Sequence, residues 1–207
     1  MWVFQKVFGD GVIGADHDTR GAILVINFEN ILYLQQGSSV QQRAYTVLTS
    51  HNVFTILKSF EPILTGTIPI GVDIEDSDLD IACCWYDIRA FIDCVTENFS
   101  PHSGFSLREV ILKGRPTVIA NFRLDDFDIE IFGQNRPVKD QESFRHMMAE
   151  YALLQQHGET FRQQVIALKR SGMKTEPAFA QLLGLMGDPY LALLKLDKGQ
   201  DSNLFRD

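Results

Sequence analysis

The 207-residue sequence predicts an α/β fold of the α+β kind: a mixed or antiparallel sheet flanked by helices, followed by a helical C-terminal subdomain. Three observations predict it. The hydrophobic period changes near residue 60, from helical stripes to short apolar runs bounded by turn residues. One helical segment opened by Asp87 divides those runs into two groups. Beyond residue 140 the helical period returns. With 45% apolar residues and a mean hydropathy of −0.05, the chain can bury the core of one domain plus a helical appendage.

Taken in order, residues 1–30 carry glycine punctuation and one strand-like run, and form an extension without an assigned structure. Residues 38–60 read as helix. Val40, Ala44, Val47 and Leu48 make one stripe after Ser38 and Ser39, and Val53, Ile56, Leu57 and Phe60 make a second. "PILTG" at 62–66 and "LDIACCW" at 79–85 suit central strands. Asp87 is a good N-cap for "IRAFIDCVTENF", whose apolar residues recur at helical spacing before Pro101 ends the run. "FSLREVILK", "PTVIANFRL" and "FDIEIFG" follow as an antiparallel meander turned at "GRP" and "LDDF". From Asp140 the pattern is helical, through His157, from Glu159 to Arg170, and in "EPAFAQLLGL" and "DPYLALLKL", each with proline in its first turn. The expected division is an N-terminal extension at 1–30, a core at 31–139 and a C-terminal helical subdomain at 140–207.

Composition narrows the function classes. A net charge of −8 and a pI of about 5.1 supply no basic face for long nucleic acid, while a small anion bound through a metal stays open. Cys83, Cys84 and Cys94 form no CxxC pair and read as reduced and buried. The apolar run "AILVI" at 22–26 is too short to span a bilayer, and charges at Lys6, Asp10, Asp16, Asp18 and Arg20 replace the apolar centre of a secretory signal. A cytoplasmic protein without a membrane partner is expected. The five histidines show no zinc-ligand spacing.

The chemistry concentrates in "GTIPIGVDIEDSDLDIAC", residues 66–83. An ionised carboxylate is costly to desolvate, yet Asp78 and Asp80 enter an apolar strand. Residues two apart on a strand share a face, at roughly 6.5–7 Å, so this pair points at one place. The same alternation puts Asp126, Asp128 and Glu130 on one face of the later strand, opposite Phe127, Ile129 and Ile131. Carboxylates gathered in this way repel unless hard cations sit among them, and Mg²⁺ with oxygen ligands is the usual answer. Two such ions, about 3.5–4 Å apart, clamp the attacking and leaving oxygens of a phosphoryl transfer. Gly66 ends the preceding strand, where following amides and the Thr67 hydroxyl form a nest for phosphate oxygens.

Gly66-Thr67, a spacer, Asp78-x-Asp80 and a third apolar-flanked acid resemble the nucleotidyltransferase superfamily typified by DNA polymerase beta. More narrowly, "PILTGTIPIGVDIEDSDLDIAC", "FDIEIFGQNRPV", "FRHMMAEYALL" and "KTEPAFAQLLGLMGDPYLALLKL" are similar to a bacterial family known as domain of unknown function 4269, over residues 30–196. The superfamily resemblance implies that Asp78 and Asp80 hold two Mg²⁺ ions, or Mn²⁺. It also implies that Glu130 holds the catalytic one and helps deprotonate the acceptor, that Gly66 and Thr67 hold the phosphates, and that Ser77 assists. It implies transfer of a nucleoside monophosphate from an NTP, ATP being the expected donor, to a hydroxyl of a small molecule or protein.

The sequence departs from the pattern in places. Thr67 stands where Ser or Gly is usual, and Pro69 and Gly71 interrupt the segment expected to be a phosphate-binding helix. Asp128 competes with Glu130 for the third position, and the apolar flanks Ile129 and Ile131 favour Glu130. Asp73, Glu75 and Asp76 read as solvated loop residues, and Lys113, Arg115 and Arg123 as a solvated hairpin. Arg145 and His146 read as a polar helix face, the other readings being an Arg145 that reaches the acidic strands and a His146 that acts as a base. The alternative function is a catalytically inert, antitoxin-like module that binds a nucleotide or protein, and a third is a metal-dependent phosphohydrolase.

Overall fold

A computed structural model of the chain describes residues 26–197. The expected extension at 1–30 therefore lies outside the described residues up to 25, and so does the end of the expected subdomain beyond 197. Phe28, within the described part, is buried edge-on against Tyr33 and Tyr151, at 5.2 and 5.1 Å between ring centroids.

Helix α1 (Ser39–Ser50) starts at a capping box: Gln41 N–H donates to Ser38 Oγ at 3.3 Å while Ser38 N–H donates to Gln41 Oε1 at 2.9 Å. The sequence reads 38–60 as helix. The structure breaks it at Asn52, left-handed at φ 56°, giving α2 (Val53–Ile56) and a 3-10 turn at Lys58–Phe60. Strand β1 (Ile63–Thr65) leads through Gly66 into a single turn, α3 (Thr67–Ile70). Here the sequence expectation is corrected: Pro69 does not interrupt the helix, because a first-turn residue has no intrahelical N–H bond to lose. Gly71, at φ 68°, ends it instead.

Strand β2 (Leu79–Cys84) and helix α4 (Ile88–Phe99) follow, the helix capped by Asp87 Oδ1, which accepts from Arg89 N–H at 2.8 Å. Strands β3 (Ser106–Leu112), β4 (Arg115–Leu124) and β5 (Phe127–Gln134) form the meander. The sheet order is β1-β2-β5-β4-β3, with β2 and β5 parallel and all other neighbours antiparallel. It is thus a mixed sheet flanked by helices.

Asp140 does not cap the next helix. It lies in a 3-10 turn, and α5 (Glu142–Arg170) starts after buried Gln141, whose Nε2 donates to the Cys83 and Arg136 carbonyls at 2.9 Å each. The two expected helical segments join in α5 with a break at Gly158 (φ 75°). Then come α6 (Thr175–Leu182) and α7 (Pro189–Asp197).

One face of the sheet carries Leu79, Ile81, Ile129 and Ile131, packed under α1 and α4 through Leu48, Phe91, Val95 and Phe99. Gly133 makes that contact possible, since a Cβ there would lie 2.2 Å from Phe91 Cε1. On the other face Ile63, Ala82 and Cys84 are covered by Val138 and Phe144. Helices α5, α6 and α7 form a separate core from Met147, Leu154, Val165, Phe179 and Leu193, which Ile70 and Val72 join from the segment after β1. Cys83 and Cys84 are buried as expected, whereas Cys94 is only half-buried.

Candidate active site

At the end of the second face not covered by Val138, strand register builds a polar row. Thr65 lies opposite Asp80, Asp80 opposite Glu130 and Glu130 opposite Asn121. Directly opposed residues share a face, so two carboxylates project side by side from neighbouring strands whose backbones run about 4.8 Å apart. Asp78 stands exposed at the entry to β2, two residues before Asp80. The row faces a cavity of about 970 Å³ whose far wall is α5 and the start of α6.

Each acid has a local reason for its position. Asn121 Nδ2 donates to Glu130 Oε2 at 3.1 Å, and Arg108 Nη1 donates to Asn121 Oδ1 at 3.1 Å, so Glu130 is oriented by a chain of side chains reaching β3. Asp128 is turned to solvent and paired with Arg123 at 3.3 Å, and Asp126 with Arg43 at 3.3 Å. Of the three acids expected on one face, only Glu130 lines the cavity. Asp80 has no ion-pair partner among the described residues. Burial, and then the charges of Asp78 and Glu130, push its carboxyl up to about 7.

Gly66 adopts φ 82° and ψ −152°, and a Cβ there would lie 2.3 Å from Asp80 Oδ2. Glycine is therefore needed twice over, for a backbone region nearly closed to other residues and for the approach to the carboxylate. Thr67 Oγ1 donates to Ser77 Oγ at 3.3 Å, and Ser77 Oγ accepts from Ile74 N–H at 2.9 Å, folding the loop back on the glycine turn. Helix α5 holds this loop: Arg162 Nη1 donates to the Gly71 carbonyl at 3.0 Å and Lys169 Nζ to the Val72 carbonyl at 2.7 Å. Burial draws the Lys169 ammonium below its ordinary range, against the charges of Glu150, Asp73, Asp78 and Glu176.

Gly66, Thr67, Ser77, Asp78, Asp80 and Glu130 all line the cavity. Arg145 turns away from the acidic strands, donating to the Leu194 carbonyl at 3.4 Å. His146 is not on a solvated polar face: it is buried, with Nε2 3.1 Å from the Tyr190 carbonyl and Nδ1 3.5 Å from Glu176 Oε1. Glu75 is solvated but bound to Arg170 at 2.8 Å, and Asp73 is half-buried. Lys113, exposed as expected, pairs with Glu142 at 2.6 Å.

Sequence reasoning missed Asn121, Lys169, Glu150 and Glu176. Asn121 had a signal, being the polar residue of "VIANF" two strands from Asp80, but its register was not readable. The others lie on helices whose facing is set only by packing.

The donor set, three carboxylates, suits a hard cation such as Mg²⁺. Among the described residues no three histidine, cysteine or acidic side chains stand at metal-holding spacing.

The family model described as Domain of unknown function (DUF4269) matches residues 46–196. The chain belongs to that family. No curated protein matches it in sequence. Among solved structures, it is similar to the RNA terminal uridylyl transferase Cid1, with 12% identity and a TM-score of 0.50 over 73% of this chain and 52% of that one. A complex of Cid1 with the UTP analogue UMPNPP gives 12% identity and 0.47 over 72% and 50%. The GLD-2/RNP-8 complex gives 14% identity and 0.44 over 84% and 67%. The chain spans between 39% and 52% of the length of the first three matching structures. At these identities the likeness is one of fold, and the member of DUF4269 has a nucleotidyltransferase-like fold. No helix among its described residues is long and apolar enough to cross a membrane.

Proposed function

We propose that this protein is a metal-dependent nucleotidyltransferase, in which residues 31–139 form the catalytic core and the helices of the C-terminal subdomain, described from 142 to 197, cover the cleft. The carrying observation is the row in which Asp80 opposes Glu130 beside Gly66, at the mouth of a cavity of about 970 Å³. Asp78, Asp80 and Glu130 would hold two Mg²⁺ or Mn²⁺ ions. When bound, these neutralise phosphate charge and orient the reacting oxygens. Gly66 and Thr67 would seat the triphosphate of an NTP, ATP in the first instance, and Ser77 keeps Thr67 in place.

In the reaction, the acceptor hydroxyl oxygen forms a bond to the α-phosphorus. The bond from that phosphorus to the bridging oxygen breaks, pyrophosphate leaves with the electron pair, and the hydroxyl proton passes to Glu130. Asn121 would hold Glu130 through the bond at 3.1 Å. The fold's relatives act on RNA by their titles, but a net charge of −8 argues for a small-molecule or protein acceptor here.

One observation favours a second reading, an inert nucleotide- or protein-binding module: the carboxylates are not drawn to metal-holding spacing. Thermal stability against ATP, CTP, GTP and UTP, with and without Mg²⁺ or Mn²⁺, separates the two. The transferase reading expects metal-dependent stabilisation by one nucleotide, about 2.7 kcal/mol at 100 times its dissociation constant, lost in Asp78→Asn/Asp80→Asn. No effect of any nucleotide in either metal overturns it.

A further inference from the structure

The wall opposite the acidic row holds a carboxylate that no described cation or donor contacts directly. Glu150, on α5, is 3% exposed and lines the cavity. Among the described residues its carboxylate has no hydrogen-bond or ion-pair partner. Lys169, the cation that acts on it, lies beyond ion-pair distance and is engaged by the Val72 carbonyl at 2.7 Å. Glu176 enters the same wall from the first turn of α6, its Oε1 3.5 Å from His146 Nδ1. His146 is fixed from its other side by the Tyr190 carbonyl at 3.1 Å. Burial and the Glu176 charge raise the Glu150 carboxyl well above its usual range.

A carboxylate buried without a partner is costly: it either holds its proton, as the raised Glu150 carboxyl does, or ionises when a donor, above all a charged one, arrives. A neutral hydroxyl would supply one hydrogen bond and leave the charge buried. An ammonium or guanidinium group would supply several N–H donors and cancel the charge. Met147 and Met173 beside these acids offer an adaptable apolar floor for the carbon skeleton carrying such a group. At about 970 Å³ the cavity lies at the upper end of the roughly 300–1,000 Å³ usual for ligand pockets, which leaves room beside a nucleotide.

We infer that the α5–α6 wall is a subsite for a cationic nitrogen, held by Glu150 and Glu176, and that the acceptor of the transfer is an amine- or guanidine-bearing molecule. That the cation belongs to the acceptor rests on the transferase reading; the binding itself does not.

The test is calorimetric titration of the full chain, without nucleotide and in saturating Mg²⁺, with 1,5-diaminopentane and with its neutral isostere 1,5-pentanediol. The diamine is expected to bind and the diol not. Glu150→Gln is expected to weaken the diamine at least tenfold, and Glu176→Gln, read in the same way, keeps the inference testable should the first variant fail to fold. Diol binding equal to the diamine, no diamine binding, unchanged affinity in both variants, or a loss produced by Asp80→Asn in their place would each overturn it. Nucleotide stabilisation of the wild type, measured separately, keeps the two failures distinct: diamine binding without any nucleotide effect removes the transferase reading and leaves a cation site. A nucleotide effect without diamine binding does the reverse.

Discussion

Gly66→Ala probes the contact on which the site geometry depends. An alanine at φ 82° and ψ −152° sits in a region nearly reserved for glycine, at a cost of about 1–3 kcal/mol. Its Cβ would also meet Asp80 Oδ2 at 2.3 Å, far inside an ordinary contact, and relieving that overlap costs about another 1–3 kcal/mol. The two contributions separate in a double-mutant cycle. In wild type the substitution is expected to cost about 2–6 kcal/mol by urea denaturation. In an Asp80→Ala background, where the opposing carboxylate is gone, only the backbone part remains. The coupling energy should therefore be about 1–3 kcal/mol, or about 2–12 °C in melting temperature for a chain of this size. Additivity within about 0.5 kcal/mol would mean that Gly66 does not abut Asp80.

Other expectations follow from the same geometry. Asp80, raised from 3.8 to about 7, binds its proton more tightly folded than unfolded, so the stability it contributes is greatest at low pH and declines as pH rises through about 7. With metal chelated, stability should fall as pH rises from 5 to 8, by roughly 2–3 kcal/mol through this residue, and melting curves should show that part of the slope vanish in Asp80→Asn, Glu150 adding in the same direction. Asn121→Ala, which frees Glu130 from its donor at 3.1 Å, should weaken Mn²⁺ binding severalfold with a stability change near 1 kcal/mol, about the worth of one hydrogen bond; unchanged Mn²⁺ affinity would contradict the positioning role. Gly133→Ala places a methyl 2.2 Å from Phe91 and should destabilise by about 1–3 kcal/mol in urea, an effect that Phe91→Leu relieves in part.

Much of the sheet was legible because strands carry their own signals: "LDIACCW" and "FDIEIFG" are apolar on one parity, and Asp87 announces α4 with a side-chain cap. The parity argument also puts Asp80 and Glu130 on the face away from Ile81 and Ile131, as the register does. Three features escaped. The turn at Thr67–Ile70 was hidden because Pro69 reads as a breaker, although at the third helical position it breaks nothing. The pairing of Asp128 with Arg123 across β4 depends on register, which no local pattern encodes. The charged wall of Glu150, Glu176 and Lys169 arises from how α5 and α6 pack, and a helical residue's periodicity says only that it is off the main stripe, not what it faces.

Asp80 and Glu130, neighbours across β2 and β5, are proposed to hold a metal–nucleotide complex. This is tested most directly by Mn²⁺ binding, followed by electron paramagnetic resonance of the free ion, in the presence of a non-hydrolysable ATP analogue. Wild type is compared with Glu130→Gln and with Asp128→Asn, two residues of one strand face of which only the first lines the cavity. At least a tenfold loss of affinity is expected in Glu130→Gln and none in Asp128→Asn. Equal affinity in all three proteins, or a loss confined to Asp128→Asn, would contradict the proposal.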